Sequence, residues 1–300
     1  MGRRDCQPPR LGNCFSGDLQ RSHKSTRAKR LAKLLVKILK EQGFEADESD
    51  ISAFADTLAE REELTRRWHR LLEVAHRLPE TDIVFWIRDA ADQGDMAEAL
   101  WRAFLAGHFG RPSANESGTQ SAARLLTAFG ERPYWTWARV SSDRESLKAW
   151  LIDHCGEVRS LRFGNHRKYE STQPQQVFRI ISSFLDWVER NGGTPAAAFE
   201  GASQGSPAEG FDRLFRSLRE ISHFGRTGTF DLLCLIGGMG ILPVRPGSCY
   251  LLNSTGPMRG AIKLWGRLSC SELGRLADET AKAVEIAYEV FEDALCMWQK

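Results

Sequence analysis

HFGRTGTFDLLCLIGGMGILPVRPGSCYLLNSTGPMRG, residues His223–Gly260, sets the reading of the chain. It holds eight glycines, three arginines and a single carboxylate, Asp231, around the apolar run Leu232–Ile236. Glycine is costly inside regular structure, so this density predicts sharp turns or close approach of another group. The local expectation is helix, glycine hairpin at Ile236–Gly240, loop, and a second helix opening at Thr255-Gly256-Pro257. Backbone N–H groups of Gly237, Gly238 and Gly240, and of Thr255 and Gly256, would then be available to phosphate. Neither a P-loop nor a dinucleotide fingerprint fits these glycines.

Outward from this stretch, the apolar spacing is helical almost everywhere. Leu31, Leu34, Leu35, Ile38 and Leu39 form one stripe. Asp82 caps a helix over IVFWIRDAAD, AEALWRAFLAGHFG reads as another, and Pro174 opens a third that ends at Asn191-Gly192-Gly193. Ser269-Cys270-Ser271-Glu272 has the form of a capping box. Only Ser248–Leu252 could be extended, so the fold class is all-α. Residues 1–25 read as a disordered basic arm, 26–155 as an N-terminal helical region and 156–300 as a C-terminal one, with the two regions able to form one unit.

Composition narrows the classes. The 300 residues carry a formal net charge of +2 and 42% hydrophobic content, enough for a sizeable core. The first 40 residues are strongly basic and the remainder mildly acidic, a distribution that points to a polyanion for the arm. No apolar run is long enough to cross a bilayer, and a soluble, cytoplasmic protein is expected. The seven cysteines show no C-x-x-C pair and the histidines no ligand spacing, so neither a metal nor another cofactor is expected. Arg132-Pro133-Tyr134-Trp135-Thr136-Trp137 is an aromatic cluster that can stack on bases or anchor a loop, the second being the commoner use. Arg159–Glu170 has no period and concentrates basic side chains, an amide, an imidazole and a phenol around Gly164, which marks a functional loop.

The strings VFWIRDAADQGDMAEALWRAFLAGHFG (Val84–Gly110), FGNHRKYES (Phe163–Ser171), HFGRTGTFDLLCLIGGMG (His223–Gly240), STGPMRGA (Ser254–Ala261) and EDALCMWQK (Glu292–Lys300) together resemble the alpha-glutamyl/putrescinyl thymine pyrophosphorylase family, in its third clade. The resemblance implies an all-helical fold related to helix-hairpin-helix DNA glycosylases, acting on modified thymine-type bases in DNA, in phages or in bacterial defence against them. Two reactions are open under it. Excision of a flipped base, ranked first, cleaves the C1′–N bond and wants a carboxylate near the sugar. Displacement of pyrophosphate from a pyrophosphorylated 5-hydroxymethyluracil is the alternative, and a silent modified-DNA binder the third reading.

Asp231 is the first candidate carboxylate, with capping of a helix that starts near Thr229 as the competing use. Glu170 is its rival. His166 is a candidate acid or base, as is His223 with less support, and Asn165 could hold a water or read a base edge. Arg162, Arg167, Lys168, Arg226 and Arg259 are candidate phosphate contacts, and Tyr169 a candidate for stacking.

Overall fold

The computed structural model describes residues 17–45, 47–110, 118–164 and 171–300, with side chains from Thr26 onward. In chain order the helices are α1 (Gly17–Glu41), α2 (Glu48–Glu73), α3 (Ile83–Asp92), α4 (Met96–Phe109), α5 (Gly118–Leu126), α6 (Trp137–Ser142), α7 (Arg144–Asp153), α8 (Cys155–Ser160), α9 (Pro174–Arg190), α10 (Pro195–Ala202), α11 (Pro207–Leu218), α12 (Arg226–Gly238), α13 (Gly256–Trp265), α14 (Cys270–Ala283) and α15 (Tyr288–Trp298). No strand occurs among the described residues, so the fold is all-α, and Ser248–Leu252 is loop. The first helix begins at Gly17, inside the arm expected to be irregular.

Contacts divide the chain into two compact units, Met1–Glu63 with Gly256–Lys300, and Leu64–Thr255. The boundary expected near residue 155 falls inside the second unit. In the first unit, α13 packs closely on α15. A Cβ at Gly260 would lie 2.3 Å from the Leu295 carbonyl oxygen, and one at Gly256 would lie 2.5 Å from Cys296 Sγ. Phe54 of α2 packs on Phe291 and Trp298 at 5.5 and 5.1 Å between ring centres.

The second unit is built around α4. Asp95 caps it by accepting the Glu98 N–H at 3.0 Å, and α3 is capped by Asp82 in the same way. All residues from Glu98 to Phe109 except Arg102 are buried, as expected of a helix with neighbours on every side. Phe104 stacks on Phe184 of α9 at 4.0 Å and meets Phe224 at 5.1 Å. Trp101 donates its indole N–H to the Trp135 carbonyl at 2.8 Å. Trp135 is itself buried, with the Arg139 guanidinium 3.6 Å from its ring centre, so this part of the RPYWTW cluster is packing and not a base platform.

The glycine hairpin expected at Ile236–Gly240 is the end of a helix. Gly237 and Gly238 complete the last turn of α12, and Gly240 follows with φ of 69°. The Ile241 N–H bonds the Ile236 carbonyl at 2.9 Å and the Gly240 N–H bonds the Gly237 carbonyl at 3.0 Å, the two bonds of a Schellman cap. These donors are consumed by the chain's own turn, and the helix end presents the negative pole of its dipole. Gly237 is required for another reason, since a Cβ there would sit 2.2 Å from the Val244 carbonyl oxygen.

Where α4 crosses α12, a Cβ at Gly107 would lie 2.9 Å from the Leu232 Cβ. Gly107→Val is expected to lower stability by about 1–3 kcal/mol through overpacking. Gly274→Ala, in α14 with nothing within 4 Å of the added atom, is expected to gain up to about 1 kcal/mol. Urea midpoints check both, and equal effects at the two positions would contradict the close crossing.

Candidate active site

The last turn of α4 divides two cavities. On one side Gly107 and Gly110 line a space of about 10 Å³ with Trp68, Val84, Thr119, Asp231 and Leu235, roughly the room of one water. On the other side His108 opens onto a cavity of about 460 Å³, within the usual range for small-molecule sites. The other described residues in its walls are Ser171, Gln173, Gln175, Gln176, Ile180 and His223.

The large cavity lies where both described ends of the Arg159–Glu170 segment are anchored. Going in, the Gly164 N–H donates to the Phe109 carbonyl at 2.7 Å, Phe163 stacks on Phe109 at 5.2 Å, and its edge meets the His108 ring at 5.3 Å. Coming out, the Gln173 N–H reaches Ser171 Oγ at 3.2 Å and Arg159 Nε donates to Gln173 Oε1 at 3.1 Å. His223 stands on the rim with a φ of 60°, a left-handed conformation uncommon outside glycine and one that the surrounding turn must hold in place. The turn that holds it is fixed by the Ser222 N–H to Ser183 Oγ at 2.9 Å and the Phe224 N–H to the Ile221 carbonyl at 3.1 Å. One buried imidazole and one exposed imidazole therefore face a cavity lined by three primary amides, which offers proton transfer beside groups that both donate and accept.

The candidate residues separate into three sets. Asn165, His166, Arg167, Lys168, Tyr169 and Glu170 lie outside the described residues. Arg162, exposed, sits just before them with its backbone N–H bonded to Ser121 Oγ at 2.8 Å. Asp231 does not cap α12, which starts five residues earlier; it is half-buried on the one-water cavity, across the α4 turn from the large one. Among the described residues lining the large cavity there is no carboxylate.

Arg226, expected to contact phosphate, is buried. Its guanidinium donates to the Cys249 carbonyl at 3.2 Å and the Tyr250 carbonyl at 3.0 Å, and lies 4.9 Å from the Phe230 ring centre, tying the start of α12 to the loop before α13. Gly237, Gly238 and Gly240 belong to the α12 cap described above. Gly256 opens α13 as expected, but its missing side chain makes room for Cys296; Thr255 and Arg259 are exposed on either side of that start. The sequence reading missed His108 as a site residue because it sits in a predominantly apolar helix. The signal was its position between Gly107 and Gly110, two glycines in the last turn of the helix and just after it. Gln173, Gln175 and Gln176 surround Pro174, which opens α9, and nothing in their local spacing shows that they share a cavity with His108.

The sequence model of alpha-glutamyl/putrescinyl thymine pyrophosphorylase, clade 3, matches residues 62–300. The chain belongs to this family. Membership makes it a pyrophosphorylase-type enzyme of DNA modification, with thymine in DNA as substrate. The family match takes in α3 to α15, and so every wall of the large cavity. No curated protein and no solved structure matches the chain. Among the described residues no helix is long and apolar enough to cross a membrane.

Asp82, which caps α3 beside the small cavity, has its carboxyl pushed above the ordinary range by burial, against the opposing hydrogen bonds from the Val84 N–H and the Thr119 hydroxyl. The folded chain therefore holds this proton more tightly than the unfolded one, and the residue's contribution to stability falls as pH rises from about 4 through the elevated value. Asp82→Asn keeps a capping acceptor and removes the buried charge. It is expected to be more stable than the wild type at pH 7 and to lose that advantage near pH 4, as read from urea midpoints; a difference independent of pH would contradict the assignment.

Proposed function

We propose that the protein processes a modified thymine in DNA, with the target base flipped out of the helix into the cavity bounded by His108, Gln173, Gln175, Gln176 and His223. One observation carries this reading: a base-sized cavity with two imidazoles and three amides on its walls lies where both ends of the FGNHRKYES segment are anchored. A base inside a duplex is unreachable unless extruded, and the extruded edge is then read by groups that donate and accept together. Thymine-type bases offer one N–H between two carbonyls, which primary amides match.

Displacement is the reaction the cavity supports best. An amine nitrogen, of the glutamyl or putrescinyl kind in the family's name, attacks the methylene carbon on C5 of a pyrophosphorylated 5-hydroxymethyluracil. The carbon–oxygen bond breaks, its electron pair leaves with pyrophosphate, and the ammonium proton passes to an imidazole, for which exposed His223 is placed on the rim. Arg162, with Arg167 and Lys168 of the adjoining segment, would neutralise the leaving group. Excision, ranked first on the sequence, requires a carboxylate near C1′. The described walls supply none, and Asp231 faces the other cavity, so excision would depend on Glu170.

The test is turnover. DNA carrying pyrophosphorylated 5-hydroxymethyluracil is incubated with the protein and putrescine or glutamate. Pyrophosphate release with the amine retained on the DNA is expected, seen as a net mass loss because either amine is lighter than the pyrophosphate it replaces, and His223→Gln is expected to lower kcat by about 10²–10⁴-fold. Abasic sites with free base would replace displacement by excision, and binding without either product would remove the enzymatic reading.

A further inference from the structure

A second cavity, of about 440 Å³, lies between α7 and α9 and is separate from the one assigned to the target base. Its floor is the half-buried ring of Phe178 beside Ile152, a large apolar side chain that is 46% exposed. Two cations stand at its edge. Lys148 Nζ lies 5.6 Å from the Phe178 ring centre, and Arg179, one residue on, is held by Gln176 Oε1 at 3.3 Å. Ser182, Ser183 and Ser222 add hydroxyls. The acidic groups nearby are already committed: Asp186 is engaged by Arg144, which also bonds Glu189 at 3.1 Å. Lys148 pairs with Glu145 at 3.3 Å, an exposed contact that costs little to give up.

An aromatic face flanked by lysine, arginine and hydroxyls is the composition of a nucleotide site: the ring takes a base by stacking, the cations and hydroxyls take its phosphate. The groove shares Gln175 with the base cavity, and its Ser222 is the residue before His223, so the two openings follow each other along α9. We propose that this groove binds the nucleotide next to the target in the same DNA strand, stacked on Phe178 with its phosphate at Arg179 and Lys148. The inference rests on the DNA reading above and deepens it: two successive nucleotides leave the duplex, so the enzyme acts on a strand that is single-stranded over at least that length.

The full chain is titrated with single-stranded and duplex oligonucleotides containing one 5-hydroxymethyluracil, by fluorescence anisotropy over a range of salt. Single-stranded DNA is expected to bind more tightly. Phe178→Ala is expected to weaken that binding roughly 5- to 150-fold, the range for losing one stacked base. Arg179→Gln is expected to reduce the slope of log affinity against log salt by about 0.7. Because Phe178 packs against the core, a second measurement uses the wild type: an oligonucleotide with 5-iododeoxyuridine beside the target is irradiated and the cross-link mapped, with attachment expected within α9 at Phe178. Unchanged affinity in Phe178→Ala, or a cross-link that maps elsewhere, overturns the groove while leaving the base cavity standing. A wild type that binds no DNA in any form overturns both.

Discussion

Contact between α4 and α12 at Gly107 is the constraint on which the second unit depends. Without a side chain there, Leu232 comes close enough that an added carbon would stand 2.9 Å from its Cβ. Close-packed interiors do not yield a carbon's worth of space cheaply, so this crossing fixes the rotation of α4 about its axis. That rotation decides the site. With Gly107 turned to α12, the next residue, His108, is turned to the cavity under Phe163 and Ser171, and Asp231 is left on the other side of the turn with space for one water.

The same turn anchors its surroundings. The Phe109 carbonyl receives the Gly164 N–H, and Gly118 at the start of α5 lies so near the Phe109 and Gly110 carbonyls that a Cβ would reach 2.7 and 2.3 Å from them. Three chain segments thus converge where α4 ends. The end of α4 is thereby held by backbone contacts on two sides. The candidate site is therefore organised by backbone approach more than by ion pairs.

What was legible in the sequence was local. The helices, the Asp82 cap, the Ser269–Glu272 capping box and the proline that opens α9 each follow from a few neighbouring residues, and the structure bears them out. The fold class followed from the same periodicity, and the family from motifs that lie in both units. Glycine was read less well, because one signal has several causes. At Gly240 it is a left-handed cap, at Gly237 room for the Val244 carbonyl, at Gly260 room for α15, and none of these leaves an N–H for phosphate at the α12 end. Arg226 looked like a ligand-binding cation because nothing local reveals that the Cys249 and Tyr250 carbonyls need a donor. The association of residues 1–63 with 256–300 is a long-range event, invisible to spacing. His108 was hidden for a related reason: a helix buried nearly all round has no stripe to show which of its residues faces a cavity.

The central claim is that His108 and His223 face one cavity that takes a thymine-type base. It is tested most directly by following the imidazole ring protons of the described histidines by NMR while free 5-hydroxymethyluracil is added. The account predicts that the signals of His108 and His223 shift together with one dissociation constant, while those of His69, His76 and His154 stay in place. Shifts confined to the latter three, or separate dissociation constants for His108 and His223, would contradict it.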